Sequence, residues 1–402
     1  MQHVAVTGMG IVSPLGSSVE TFWRNLVEGN AAIAPADPAL RLSGNGLWAA
    51  VTDEMLPHDM VRSSALRNSA RFTKYAILAT EQALRAAALD PPPHAAVIVG
   101  NTMGGFPLVA EMQDQLRERG ARAVSPKLIP LVVPNAAGAC IAWYYKLRGT
   151  QLTISTACAS ALDAIGIASR MIERGEVDVA IAGGTETVLC ALVYESLFRS
   201  AALSRNPDPL RASRPFDVES DGFVMGDGAA MLVLESTERA SARRIPILAR
   251  IRGYGSITDG HHISSPEPSA RYATQVMRDA RDDAGDLGTA CNVVYAHATS
   301  NFVCDAIEAK AIGEVYGSQS PLVTSIKGHV GHSMAADGAM SLVAGITGMH
   351  KGCVPPTLGT RHLDPDVHFE LARGSAREWP YAAFATNAFG LGGQNASLIV
   401  SA

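Results

Sequence analysis

Short apolar runs that close on glycine alternate along this chain with amphipathic stretches. Val4-Ala5-Val6 leads into Thr7-Gly8-Met9-Gly10, Ala95-Ala96-Val97-Ile98-Val99 closes on Gly100, and Asp178-Val179-Ala180-Ile181-Ala182 closes on Gly183-Gly184. Each run reads as a buried strand passing into a loop. Between them, 18–28 and 70–88 carry helical spacing. Phe22, Trp23, Leu26 and Val27 form an apolar face behind a Ser18 cap, and the second stretch is rich in alanine. Gly228-Ala229-Ala230-Met231-Leu232-Val233-Leu234 predicts another buried strand. Residues 30–70, with many Pro, Gly, Ser and Arg, predict an irregular surface excursion.

After about residue 242 the same grammar restarts. A strand over 247–254 leads to a helix over 272–284 and then to the strand Val293-Val294-Tyr295-Ala296. A small-residue helix over 333–344 follows, and strands over 383–388 and 396–400 close the chain. Strands alternating with helices predict an α/β fold of parallel character. At 402 residues the chain exceeds the usual single core. Two similarly patterned halves, 1–241 and 242–402, suggest an internal duplication, although no repeat is visible residue by residue.

Composition narrows the classes. Hydrophobic residues make up 47% and charged ones 18%, which describes a packed globular body. A net charge of -5 argues against nucleic acid as a partner, because phosphate binding needs a basic face. No apolar run reaches 18 residues, so no membrane span is expected. The first residues lack the basic start and long apolar core of a signal peptide. Six cysteines, at 140, 158, 190, 291, 304 and 353, are scattered without a C-x-x-C pair, which points to reducing cytosol and a cytoplasmic protein.

Candidate chemistry sits in four segments. In Leu152-Thr153-Ile154-Ser155-Thr156-Ala157-Cys158-Ala159-Ser160-Ala161, a β-leaning run turns into a small-residue helix start. A thiol there meets unpaired N–H groups and the positive end of a helix dipole, which favour the thiolate. Alone, such a cysteine is more often small packing. The other three segments are Ala296-His297-Ala298-Thr299-Ser300, Ser325-Ile326-Lys327-Gly328-His329-Val330-Gly331-His332, and Asn387-Ala388-Phe389-Gly390-Leu391-Gly392-Gly393-Gln394-Asn395. His329 and His332 stand at i, i+3 without a third ligand at metal spacing, so no metal is expected. The glycine loops match no phosphate-binding pattern, so no cofactor is expected.

With those segments in view, the chain resembles the β-ketoacyl-acyl carrier protein synthases, condensing enzymes of type II fatty acid and polyketide synthesis. The likeness runs from Val6-Thr7-Gly8-Met9-Gly10-Ile11-Val12-Ser13-Pro14-Leu15-Gly16 to Asn387-Ala388-Phe389-Gly390. It includes Ser213-Arg214-Pro215-Phe216-Asp217 and Asp221-Gly222-Phe223-Val224-Met225-Gly226-Asp227-Gly228. The resemblance implies a thiolase fold, two βαβαβ halves stacked as αβαβα layers. It implies Cys158 as nucleophile, His297 and His332 as the catalytic pair, Lys327 as the lysine of the site and His329 as a bystander. Neutral imidazole N–H groups would stabilise an enolate, with Lys327 keeping a histidine neutral.

By the same likeness, Leu391 stands where relatives have a gating phenylalanine, beside Phe389, and its N–H would complete an oxyanion hole. Met103 and Leu197 fall along the acyl pocket, and Thr299 contacts the carrier's phosphopantetheine arm. The implied partners are an acyl carrier protein bearing acyl and malonyl thioesters and a second subunit, identical or ketosynthase-like. Arg205, Arg211 and Lys127 are candidates for a basic rim facing the carrier. Departures mark a specialised member: Ser341 where relatives have a glutamate nine residues after the second histidine, Ala298 for glycine, Asn301 for threonine, and Leu391 and Leu197 for phenylalanines. A non-elongating acyltransferase, or a structural chain-length subunit of a heterodimer, are the alternatives.

Overall fold

The strand that opens the chain, β1 (Val4–Val12), lies at the centre of a single mixed sheet of eleven strands. A computed structural model describes residues 4–56 and 69–402; the stretch 57–68 of the expected surface excursion lies outside them. The remaining sheet strands are β2 (Ala96–Gly100), β3 (Gln151–Ile154), β4 (Val179–Glu186), β5 (Gly228–Ser236), β6 (Ala249–Thr258), β7 (Val293–Tyr295), β8 (Leu322–Thr324), β9 (Glu370–Leu371), β10 (Ala383–Phe389) and β11 (Gln394–Ser401). Their spatial order is β9-β8-β7-β10-β11-β6-β1-β5-β4-β2-β3. The seam is a short antiparallel pairing in which Val4, Ala5 and Val6 face Ile251, Arg250 and Ala249.

Outward from the seam the first half reads β1-β5-β4-β2-β3 and the second β6-β11-β10-β7-β8, with β9 added at the end. Both halves therefore arrange their strands, numbered in chain order, as first, fifth, fourth, second, third. In each half the first three strands pair antiparallel and the last three parallel. The internal duplication is thus a topological one. The expected parallel character holds only for the outer portion of each half.

Helices fill equivalent places. The principal ones are α1 (Val19–Val27), α2 (Arg71–Ala86), α3 (Phe106–Arg119), α4 (Ala136–Tyr144), α5 (Ser160–Glu173), α6 (Ala191–Arg199), α7 (Arg271–Asp283), α8 (Phe302–Tyr316) and α9 (Asp337–Lys351). Helix α1 starts where its sequence said it would, with Ser18 Oγ accepting the Thr21 N–H at 3.2 Å. Helices α2 and α7, each after the first strand of its half, cover the outer faces together with α4 and α8. Helices α5 and α9 each precede the fourth strand of their half and pack on strands of both halves. These two are therefore the middle layer of a five-layer αβαβα body.

That position explains their composition. Nearly every residue of α9 is buried, including Gly338, Ala339, Ala344 and Gly345, because sheets press on it from two sides. At Gly345 a Cβ would stand 2.3 Å from the Phe384 ring. The helix begins at Asp337, later than its pattern suggested, since Met334–Ala336 form a short 3-10 turn. Among the described residues, no helix is long and apolar enough to cross a membrane.

Candidate active site

Cys158 occupies the corner between β3 and the central helix α5. Ala157 turns that corner with φ of +50°, a left-handed conformation that costs an L-residue roughly 1–2 kcal/mol. Ser160 holds the turn closed, its Oγ accepting the Thr156 N–H at 2.9 Å and donating to Ala157 O at 2.6 Å. The thiol is thereby aimed from the start of a fourteen-residue helix, at the positive end of its dipole.

His332 reaches the same point from the equivalent corner of the second half, between β8 and α9. Its backbone is clamped by the Asp221–Gly228 segment: the His332 N–H donates to Val224 O at 2.7 Å and the Gly226 N–H to His332 O at 2.9 Å. A side chain at Gly226 would collide with Val330 O at 2.3 Å, so only glycine permits this pairing. The Nε2 of His332 stands 3.1 Å from Cys158 Sγ.

His297 follows β7. Glu308, buried on α8, accepts the N–H groups of His297 and Ala298 at 2.9 and 2.7 Å and that of Asn387 Nδ2 at 3.2 Å. Its rings place His297 between two neighbours, with centroids 5.2 Å from His332 and 5.9 Å from Phe389, both edge to face. Cys158, His297 and His332 present ligand atoms within 4.8 Å of one another, all buried. One thiol and two imidazoles could hold a soft divalent ion, but the thiol–imidazole contact also describes a nucleophile beside its base.

A carboxylate that the sequence reading did not single out completes the cluster. Asp337 Oδ2 lies 2.6 Å from Lys327 Nζ, 3.4 Å from His332 Nδ1 and 3.7 Å from His297 Nδ1. All four groups are buried. The only sequence signal was an acid five residues after His332 at a helix start, where acids are common in any case.

Environment separates the two histidines. Burial, then the charges of Lys327 and His332, hold His297 well below the usual imidazole range. Burial also opposes charge on His332, but the Cys158 sulfur and the Asp337 carboxylate overcome it and lift His332 to about 9. Asp337 stays ionised despite its burial, because Lys327 and His332 hold its carboxyl far below the ordinary value.

The remaining candidates fall around this centre. The 390–393 loop closes on Cys158: a Cβ at Gly390 would meet Thr156 O at 2.8 Å and Cys158 N at 3.2 Å. Leu391, next in the loop, is 54% exposed. Met103 and Leu197 join one apolar cluster with Phe223 and Met334, and the Phe223 ring lies 5.3 Å from His332, edge to face. That cluster leads from the histidine toward Met103. Thr299 is buried beside Ser300, and Asn301 caps α8 by accepting the Cys304 N–H at 3.2 Å. His329 is turned away, its ring nitrogens 2.8 and 2.7 Å from the carbonyls of Asn30 and Pro356. Ser341 is buried one turn into α9.

Arg211 departs from expectation. It is 6% exposed, bonded to Asp217 at 3.1 Å, to Glu219 at 2.6 Å and to Gly359 O, so it braces the loop and offers no charge to a partner. Arg205 lies over the Phe198 ring, 5.2 Å from its centroid.

Known proteins match this chain along its length. Residues 1–240 match the model of the β-ketoacyl synthase N-terminal domain and residues 248–361 that of the C-terminal domain. A protein of Coxiella burnetii named 3-oxoacyl-[acyl-carrier-protein] synthase 2 is 33% identical, over 100% of this chain and 98% of its own. A crystal structure of a β-ketoacyl synthase from Burkholderia phymatum superposes with a TM-score of 0.92 at 31% identity, covering 100% of this chain and 99% of that one. A type II polyketide ketosynthase, bound to a hexaketide and in complex with its acyl carrier protein, gives 0.89 at 26% identity with the same coverage.

Proposed function

The chain belongs to the β-ketoacyl synthase family, and from that premise we propose that it elongates acyl chains by decarboxylative Claisen condensation with malonyl-acyl carrier protein. One observation carries the reading: Cys158 Sγ stands 3.1 Å from His332 Nε2, with the His297 ring centred 5.2 Å from that of His332.

In the first half-reaction the Cys158 thiolate attacks the acyl thioester. The C–S bond to the carrier breaks, and the carrier thiolate takes the proton of the His332 imidazolium. Acylation removes the sulfur charge that supported that proton, so His332 is left neutral until the second half-reaction. In the second, the bond from the malonyl α-carbon to its carboxylate breaks and CO2 leaves. Its electron pair becomes an enolate, whose oxygen accepts from the Nε2–H of His297 and from the Nε2–H that His332 regains by taking up one proton from solvent. The enolate carbon then attacks the acyl-Cys158 carbonyl, a C–C bond forms, and the thiolate departs to restore the resting site. The amides of Cys158 and Leu391 are the donors for the tetrahedral oxyanion, Phe389 flanks His297, and Thr299 receives the carrier arm.

The carrier is a separate protein and the pathway a polyketide or fatty acid one; Leu391, Leu197 and Ser341 favour a specialised product. Residues 1–241 and 242–402 act as the two ketosynthase halves, and the enzyme works in the cytoplasm. The outer edge of β3 ends the sheet, with Leu152 exposed on it and Trp143 of α4 65% exposed nearby. This apolar edge supports a dimer through β3, with a second copy or a ketosynthase-like subunit.

Incubation with acyl- and malonyl-carrier protein, followed by intact-mass analysis, tests the function. An acyl adduct on Cys158, CO2 release and a product two carbons longer are expected. Absence of the adduct overturns the reading and favours a structural subunit; an adduct transferred without CO2 release favours a non-elongating acyltransferase.

A further inference from the structure

Asp337 places its Oδ2 within 3.7 Å of a nitrogen of each of Lys327, His332 and His297. It opens α9 five residues after His332, while the place nine residues after that histidine, where resembling enzymes carry a glutamate, holds the uncharged Ser341. We propose that Asp337 has taken over as the site's ordering carboxylate, a positioning residue that anchors Lys327 and orients His332 toward Cys158. This inference rests on the proposed condensing function and adds to it the group that holds the base.

The geometry favours one arrangement. A buried carboxylate is tolerable only when paired, and Lys327 Nζ at 2.6 Å supplies the pair. The same oxygen lies 3.4 Å from His332 Nδ1, while Nε2 on the far side of the ring lies 3.1 Å from Cys158 Sγ. Sulfur, imidazole and carboxylate thus form a nucleophile, a base and an orienting group in series. His297 Nδ1 is farther away, at 3.7 Å, and its ring feels the Lys327 charge, so the carboxylate acts unequally on the two histidines.

Other charged or titratable groups around the series are few. Glu308 on α8 interacts with Lys327 while holding the His297 amide, and Cys304 and Asp305 lie on the same helix. Phe223 packs its neutral ring edge to face with His332. Removing the Asp337 charge therefore leaves His332 facing Lys327 without the group that separates them.

Alkylation of Cys158 by iodoacetamide, followed by intact mass over roughly pH 5 to 10, reads the thiolate directly and needs no carrier substrate. Asp337→Asn keeps the shape and removes the charge. Its alkylation rate near neutral pH should fall at least about tenfold, with the profile moved toward higher pH by about one unit. Asp337→Ala should show the same defect, and Asp337→Ala/Ser341→Glu should regain most of the rate, because the carboxylate returns from the next turn of α9. An Asp337→Asn profile that superposes on the wild type overturns the proposal. So does a double variant as slow as Asp337→Ala at an unchanged unfolding temperature; if either Ala variant is unstable, the Asn profile decides. Failure of the wild type to condense acyl and malonyl carriers would count against the proposed function and leave the alkylation result to stand or fall separately.

Discussion

Glu308 accepts the His297 N–H at 2.9 Å from a buried position on α8, so the loop that carries His297 hangs from a carboxylate in another element. Because the Ala298 N–H and Asn387 Nδ2 share that carboxylate, its loss exposes three donors at once. Each buried donor left without a partner costs about 1–3 kcal/mol. Glu308→Ala should lower the unfolding temperature by several degrees and reduce condensation more than acylation. Thermal unfolding and the two half-reaction rates measure both.

The two histidines should separate by half-reaction. His297→Ala removes an enolate donor and leaves the His332–Cys158 contact in place, so decarboxylation of malonyl-carrier protein should fall about 10²–10³-fold while acyl loading of Cys158 survives. His332→Ala removes the base 3.1 Å from Cys158 as well, so both half-reactions should fall. Single-turnover acylation and CO2 release, measured side by side, decide. Equal behaviour of the two variants would contradict the assignment of His332 to both steps.

Asp227 links stability to pH. Burial pushes its carboxyl up to about 7 against the Val51 N–H and Tyr75 hydroxyl that bind it, whereas in the unfolded chain it titrates near 4. Between those values the folded protein holds the extra proton, so its stability falls as pH rises from about 4 to about 7, by up to about 1.4 kcal/mol per unit from this group. Asp227→Asn abolishes that slope. Unfolding midpoints of wild type and variant across this range should diverge steadily, the wild type losing ground at higher pH.

Leu197 should set acyl length together with Met103, since both pack in the cluster that Phe223 joins to His332. Leu197→Phe adds a ring there, at a packing cost of about 1–3 kcal/mol. Rates with long acyl carriers should drop at least about tenfold, with short ones little changed; a uniform loss across chain lengths would refute a pocket role.

Much of this was legible in the chain. Short apolar runs closing on glycine marked β1, β2 and β4, because a strand buried on both faces needs no polar alternation. Cys158 and His297 stand where apolar runs end, but each alone reads as packing, and it took the four segments together and the family resemblance to single them out. Arg211 was misread, since a charged residue beside a Pro-rich loop looks like surface until Asp217, six residues on, is seen to fold back onto it.

The amino-acid sequence by itself determined the alternation of strands and helices, the helix-start thiol and the family, because these depend on local period and on motifs a few residues long. Tertiary structure alone decided that the two halves share a single sheet, that β3 and β8 deliver Cys158 and His332 to one point, and that Asp337 bridges Lys327 and both histidines. The physical reason is distance. Charges act through a few ångströms of space, and the two groups that together raise His332, Cys158 and Asp337, are separated by most of the chain's middle until α5 and α9 pack between the two halves of the sheet.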